Sequence, residues 1–153
     1  MITQIDLKFK GNSIDTNLFI NDLYKSFNNL NIHDFDNLKI SNSSDLVKCI
    51  EISEYIYLSA SLNYLFLGHF KINDTFFDLR KENDIIYILF FFDINQFNYP
   101  VENIIDILEK NSIYFLKKYN FNSLQCTIDN GNLDETIFNE KGKGIYYKFY
   151  IKS

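Results

Sequence analysis

The 153-residue sequence predicts an α+β fold, a two-layer sandwich in which a mainly antiparallel meander sheet carries two helices packed on one face. Three observations carry that expectation. Ile85–Phe92 is the longest uninterrupted apolar run, and its β-branched and aromatic composition suits a buried strand. Ile2–Lys10 and Ile145–Ile151 alternate apolar with polar residues, the pattern of strands with one wet face. Pro100 opens a stretch whose apolar residues recur at helical spacing as far as Tyr119.

Taken in order, Ile2–Lys10 is the first strand, ended by Gly11-Asn12. A helix then starts near Ser13 or Asp15, either of which can cap it, with Ile20, Leu23, Phe27 and Leu30 on one side. His33–Asp36 is a polar connection, and Leu38–Ile40 a short strand before the Ser41–Ser44 loop. Across Leu46–Ala60 a helix capped by Ser44 competes with extended chain. The β-branched and aromatic residues Val47, Ile50, Ile52, Tyr55, Ile56 and Tyr57 favour one long bent strand or two short ones. A strand follows from Asn63 to Ile72, in which Gly68 marks a bulge or a close backbone neighbour. Asn73-Asp74 signals a turn, Thr75–Arg80 a strand, Lys81–Asp84 a turn, and Ile85–Phe92 the next strand.

Pro100 then stands in the first turn of the second helix, where its missing N–H costs nothing. Glu102 and Asp106 early and Lys117 and Lys118 late complement the helix dipole, and Asn120 closes it. Asn122–Asp129 alternates with Leu124, Cys126 and Ile128 inward, and Asn130–Asn132 turns the chain. After the undecided Leu133–Asn139, Lys141–Gly144 is a hairpin turn leading into Ile145–Ile151. Gly-Lys-Gly opens no helix there, so it lacks the N–H cradle of a phosphate loop.

Composition bounds the function. A chain of this length with 46% hydrophobic residues fits a single domain over residues 1–153, able to bury ~70% of its unfolded surface without metal or disulfide. One Pro, one Arg and one Ala beside abundant Asn, Ile, Lys, Phe and Tyr indicate an AT-rich genome. The Asn and Tyr excess is therefore coding bias rather than a binding signal. The net charge of −5 repels phosphate backbones and argues against nucleic acid as a partner. Cys49 and Cys126, both in strand-like settings, fit no zinc spacing and read as free thiols in a reducing cytoplasm. The opening Met1–Asp6 has no signal-peptide character, and no apolar run approaches the ~20 residues of a membrane helix. The expectation is a cytoplasmic protein with no membrane contact.

Catalytic and cofactor chemistry find no motif. His33 with Asp34 and Asp36 gives an incomplete metal set and reads as a solvated loop. His69, beside Gly68 and among aromatics, has no nucleophile near it in sequence. It is the candidate for lining a pocket in a small-molecule-binding domain or enzyme. Pairs such as Glu51/Glu54 and Asp74/Asp78 occur in any acidic protein. No cofactor, metal or catalytic residue is assigned, and the chain reads as a non-enzyme. The partner-binding candidates are Tyr146, Lys148 and Tyr150, alternating outward on the last strand, together with Asp74 and Asp78.

In profile the chain resembles bacterial immunity proteins: small, acidic, α+β, free of catalytic motifs and AT-rich in coding. That resemblance implies a protein that binds and neutralises a toxin, its acidic side chains filling a basic cleft of the toxin domain. The other readings are the small-molecule pocket near His69 and a structural or assembly subunit, of a virus for example. Ile85–Phe92 is expected at the centre of the sheet with its second face closed, whether by the Ser41–Ser44 region, a loop or a partner.

Overall fold

The computed structural model describes residues 4–33, 39–128 and 135–144. In chain order these form β1 (Gln4–Gly11), α1 (Thr16–Leu23), β2 (Phe27–Ile32), α2 (Ser43–Ile52), β3 (Tyr55–Leu67), β4 (Phe70–Glu82) and β5 (Ile85–Asp93). Then come α3 (Val101–Lys118), β6 (Ser123–Ile128), β7 (Thr136–Asn139) and β8 (Gly142–Lys143). The strands make one antiparallel sheet in the order β2-β3-β4-β5-β1-β6-β7-β8. The apolar run is β5, held between β4 and β1, as its composition predicts. The expected α+β sheet with helices on one face is present, with three helices where the sequence suggested two.

The period-2 alternation of the strands decides what the helices cover. Phe9 of β1, Phe77 of β4 and Phe90 of β5 point into the helical layer and meet Phe19 of α1 and Phe115 of α3. Phe115 is the hub. Its ring lies 4.9 Å from Phe9, 6.1 Å from Phe19, 5.7 Å from Phe90 and 4.7 Å from Tyr119, centroid to centroid. Edge-to-face and tilted geometry at these distances adds ring electrostatics to the burial.

Where the structure departs from the sequence expectations, the backbone supplies the reason. Asp15 caps α1 as expected, its carboxylate accepting from Leu18 N at 3.1 Å. The helix stops at Leu23, however, and a 3-10 turn at Tyr24–Ser26 delivers Phe27 to β2. The helical spacing of Phe27 and Leu30 is therefore incidental. Asn28, Asn29 and Asn31 are weak helix formers, Asn29 takes a left-handed φ of 53°, and pairing with β3 satisfies the backbone. Lys39 and Ile40 form no strand.

Leu46–Ala60 is helix first and strand after, contrary to the extended reading. Asn42 caps α2, its Oδ1 accepting from Asp45 N at 2.9 Å, and Asp45 Oδ2 accepts from Ser41 N at 3.0 Å. At the other end Lys81 Nζ donates to the carbonyls of Ile50 and Glu51 at 2.9 and 3.2 Å, a cation on a helix C-terminus. These caps, with Leu46, Val47, Cys49 and Ile50 buried, outweigh the β-branched composition. Cys49 thus lies in a helix and Cys126 in β6; both are free and buried, and burial raises both thiol pKa values.

The expected strand through Gly68 is a hairpin instead. Leu67 pairs with Phe70, leaving Gly68-His69 as a two-residue turn with Gly68 at φ +60°. The close neighbour expected at Gly68 is real, since a Cβ there would stand 2.6 Å from Asn111 Oδ1 on α3. Asn73-Asp74 is not a turn but an irregularity inside β4, with Asp74 at φ 51°. Around it the buried positions change parity, from Leu58, Ala60 and Leu62 to Leu65 and Leu67 on β3. Pro100 directly precedes α3 rather than standing in its first turn, and Asn120 at φ 62° ends the helix as expected. Ile145–Ile151, carrying Tyr146, Lys148 and Tyr150, lies outside the described residues, as do Asp34–Asp36 and the Asn130–Asn132 turn.

Because Phe115 joins α1, α3 and three strands through one cluster, Phe115→Ala leaves a cavity that no single neighbour can fill. The expected loss is about 3–5 kcal/mol of stability, read by urea denaturation. A loss below about 1 kcal/mol would contradict the hub role.

Candidate functional site

None of the three helices among the described residues lies on the other face of the sheet, where Asp6 and Thr127 are nevertheless buried. Tyr87, Leu89 and Phe91 of β5 point there and are half-buried, so the second face of the apolar run is partly open rather than closed. The Ser41–Ser44 region does not cover it, because Ser43 Oγ bonds Asn21 of α1 within the helical layer. Strand register gives the face its rows. Tyr57, Arg80, Tyr87, Lys10 and Ser123 lie side by side across β3, β4, β5, β1 and β6. Ser59, Asp78, Leu89, Lys8 and Gln125 make the next row, and Ser61, Phe76, Phe91, Asp6 and Thr127 the one after. Asp93 opposite Gln4 continues the series on β5 and β1.

Two shallow depressions mark this face. One, of about 600 Å³, is lined by Lys8, Lys10, Tyr57, Asp78, Arg80, Tyr87 and Leu89 among others. The second, of about 510 Å³, lies further along the same strands and includes Asn28, Asn63, Asp74, Phe76, Phe91 and Asp93. The cations of the first rest on rings: Arg80 Cζ lies 5.1 Å from the Tyr57 centroid, and Lys10 Nζ 5.5 Å from that of Tyr87. None of Lys8, Lys10 and Arg80 is within ion-pair distance of a carboxylate among the described residues.

Asp78 is the polar centre of the first depression. Tyr57 Oη donates to its Oδ2 at 3.2 Å, while Oδ1 is buried without a hydrogen-bond partner. Burial raises the Asp78 carboxyl above the ordinary aspartate range, opposed by the Tyr57 hydrogen bond and by the Arg80 and His33 charges. The Tyr57 hydroxyl is raised in turn, chiefly because its proton bonds that carboxylate. His33 stands beside them, its ring 4.3 Å from that of Tyr57 and its Nε2 3.2 Å from Ser59 Oγ.

The residues Ser59, His33 and Asp78 are those of a hydrolytic triad, but the bonding is different. The carboxylate accepts from Tyr57 rather than His33, so among the described residues no carboxylate orients the imidazole as a base toward Ser59. Among the described residues no three His, Cys, Asp or Glu side chains converge as metal ligands.

Of the residues singled out in the sequence, Asp78 lies in the first depression and Asp74 in the second, so the fold brings them to one surface. His69 is exposed at the β3–β4 turn and lines neither depression. Sequence reasoning passed over Lys8, Lys10, Tyr57, Arg80 and Tyr87 as site residues. The alternation of β1 already turned Lys8 and Lys10 outward, but which strands stand beside them depends on long-range pairing.

No protein-family model matches the sequence, and no curated protein matches it. Among solved structures, the fold is similar to a chain in the crystal structure of the toxic C-terminal tip of CdiA from Pseudomonas aeruginosa in complex with immune protein. The TM-score is 0.69 over 95% of this chain and 99% of that one, at 14% sequence identity. At that identity the likeness is one of fold. No helix among the described residues is long and apolar enough to cross a membrane.

The bonding around Asp78 has a pH signature. The folded state keeps the Asp78 proton to a higher pH than the unfolded chain does. Its contribution to stability is thus full below about pH 3.9 and lost as pH rises through the raised value. Tyr57→Phe removes the donor that favours the carboxylate, so the Asp78 midpoint in a carboxyl carbon NMR titration is expected to move further up. A midpoint that stays or falls contradicts the hydrogen bond.

Proposed function

We propose that this chain is an inhibitor of the immunity-protein kind, which binds a protein toxin and blocks it stoichiometrically. The observation that carries the reading is the end-to-end likeness of its fold to a chain of a toxin–immune protein complex. Of the two roles in such a complex, three features favour the inhibitor. The Ser59, His33 and Asp78 side chains are not bonded as a catalytic relay. The described residues hold no converging metal-ligand set. The sheet offers a broad, partly apolar face in place of a deep cleft.

Inhibition of this sort needs no chemistry from the chain. It needs an area near 800 Å² per partner, good packing at its centre and a rapid encounter. The net charge of −5 supports fast capture of a toxin domain with a basic surface, because long-range attraction raises the association rate without new contacts. The site of action in this reading is the cytoplasm, where a toxin that has entered meets its target.

The tagged chain, expressed in its native host, is expected to copurify with one protein in a one-to-one complex by native mass spectrometry. The separated partner should show a toxic or degradative activity that disappears when the chain is added back in equimolar amount. A chain that remains alone, or a partner whose activity the chain leaves unchanged, overturns the proposal.

A further inference from the structure

The open face is polarised in a way that the overall acidity of the chain does not predict. One end gathers Lys8, Lys10 and Arg80, three cations without ion pairs among the described residues, in a protein of net charge −5. The acidic groups beside them are Asp78 and Glu82. The three cations outnumber these two carboxylates, and Asp78 is half-buried where Lys10 and Arg80 are exposed, which leaves this end electropositive. The other end carries Asp74 and Asp93, both exposed, with the amides of Asn28 and Asn63. Between them lie Leu89, Phe91 and Phe76, the last 41% exposed, while Asp6 and Thr127 of the same row are buried.

We infer that this open face is the surface that receives the toxin, and that it selects a segment carrying carboxylates at one end and cationic or N–H donor groups at the other. The carboxylates meet Lys8, Lys10 and Arg80, the donors meet Asp74 and Asp93, and apolar side chains between them cover Leu89, Phe91 and Phe76. The inference rests on the inhibitor reading and deepens it by naming the surface and the chemistry of the segment it takes. It also reverses part of the sequence expectation: at the first depression the inhibitor offers cations, and the toxin supplies the acid.

Size and the alternatives favour this face. The first two rows cross five strands about 4.8 Å apart, and on β4 and β5 the face continues through Phe76, Phe91 and Asp93. A patch of that extent fits the centre of a standard interface side of about 800 Å². Strand addition at the β2 edge is disfavoured, because the register shifts between Asn28 and Asn31 and Asn29 has a positive φ. On the helical side the exposed large apolar residues Leu18 and Tyr114 lie on different helices. Two copies of an acidic chain repel each other, which favours a different protein over self-association as the occupant.

The test uses the whole chain and the partner that copurifies with it. K8E/K10E is expected to weaken the complex at least about tenfold, and D74N/D93N several-fold, with both effects shrinking in high salt. K48E and K110E, on exposed positions of α2 and α3, should stay within about twofold. Asparagine is chosen at position 74 because it tolerates the positive φ there. Should a charge variant fold poorly by thermal melting, a photocrosslinking side chain at Leu89 in the otherwise native chain decides. It should capture the partner, and the same probe at Tyr114 should not.

A complex that still neutralises its toxin, yet ignores these substitutions and gives no crosslink at Leu89, overturns this surface and leaves the inhibitor reading standing. Crosslinks from Leu89 to a second copy of the chain also overturn it. If no toxin is bound at all, the inhibitor reading fails first and this inference with it.

Discussion

The Phe115 ring cluster is the contact on which the rest of the molecule depends. It fastens α3 to α1 and to the central strands β1 and β5 at once, and through Phe77 and Phe90 it reaches β4. Aromatic residues make 18% of the chain, and a core of rings can fill one thick layer between a sheet and its helices. That solution is one-sided. With all three helices committed to one face, no helix among the described residues covers the other. The outward residues of β3, β4, β5, β1 and β6 must be polar enough for water or apolar enough for a partner.

The rows on the open face contain both kinds. Cations lie on tyrosine rings at one end, carboxylates and amides collect at the other, and partly exposed apolar groups occupy the middle. Such an ordering has no evident use in the core, since Asp78 loses more by burial than its hydrogen bond to Tyr57 restores. A buried carboxylate oxygen without a partner is a cost that folding alone would not select. Binding gives it a role. A rigid sheet fixes the spacing of charges to within a strand repeat, and under the proposed inhibitor reading that fixed spacing is what discrimination between partners requires.

Much of the architecture was legible in local patterns. Ile85–Phe92 reads as a strand because eight apolar residues in a row, seven of them β-branched or aromatic, suit little else. Val101–Lys118 reads as a helix because its periodicity, its flanking proline and the charges at its two ends agree. The failures occurred where two local signals conflicted. Phe27 and Leu30 kept helical spacing while the asparagines around them did not favour a helix. Val47, Ile50 and Ile52 kept β-branched composition while Asn42, Asp45 and Lys81 supplied helix caps. Lys81 comes from another element, so that cap was invisible in the sequence of the helix itself. Gly68-His69 read as part of a strand because hairpin register depends on the pairing of Leu67 with Phe70.

The sequence by itself determined the fold class, the inward apolar face of the alternating strand β1 and the acidity of the chain. These are sums over local composition and periodicity, and they survive any rearrangement of the strands. Only the tertiary structure decided which side chains share a surface. β1 inserts between β5 and β6, and that long-range pairing sets Lys8 and Lys10 beside Tyr87, Leu89 and, one strand further, Arg80. No local signal encodes that order, because neighbours in a sheet are chosen by how the whole core packs. The second face of Ile85–Phe92, expected to be closed, is half-open because the helices pack on the opposite face, α1 and α3 joined there through Phe19 and Phe115.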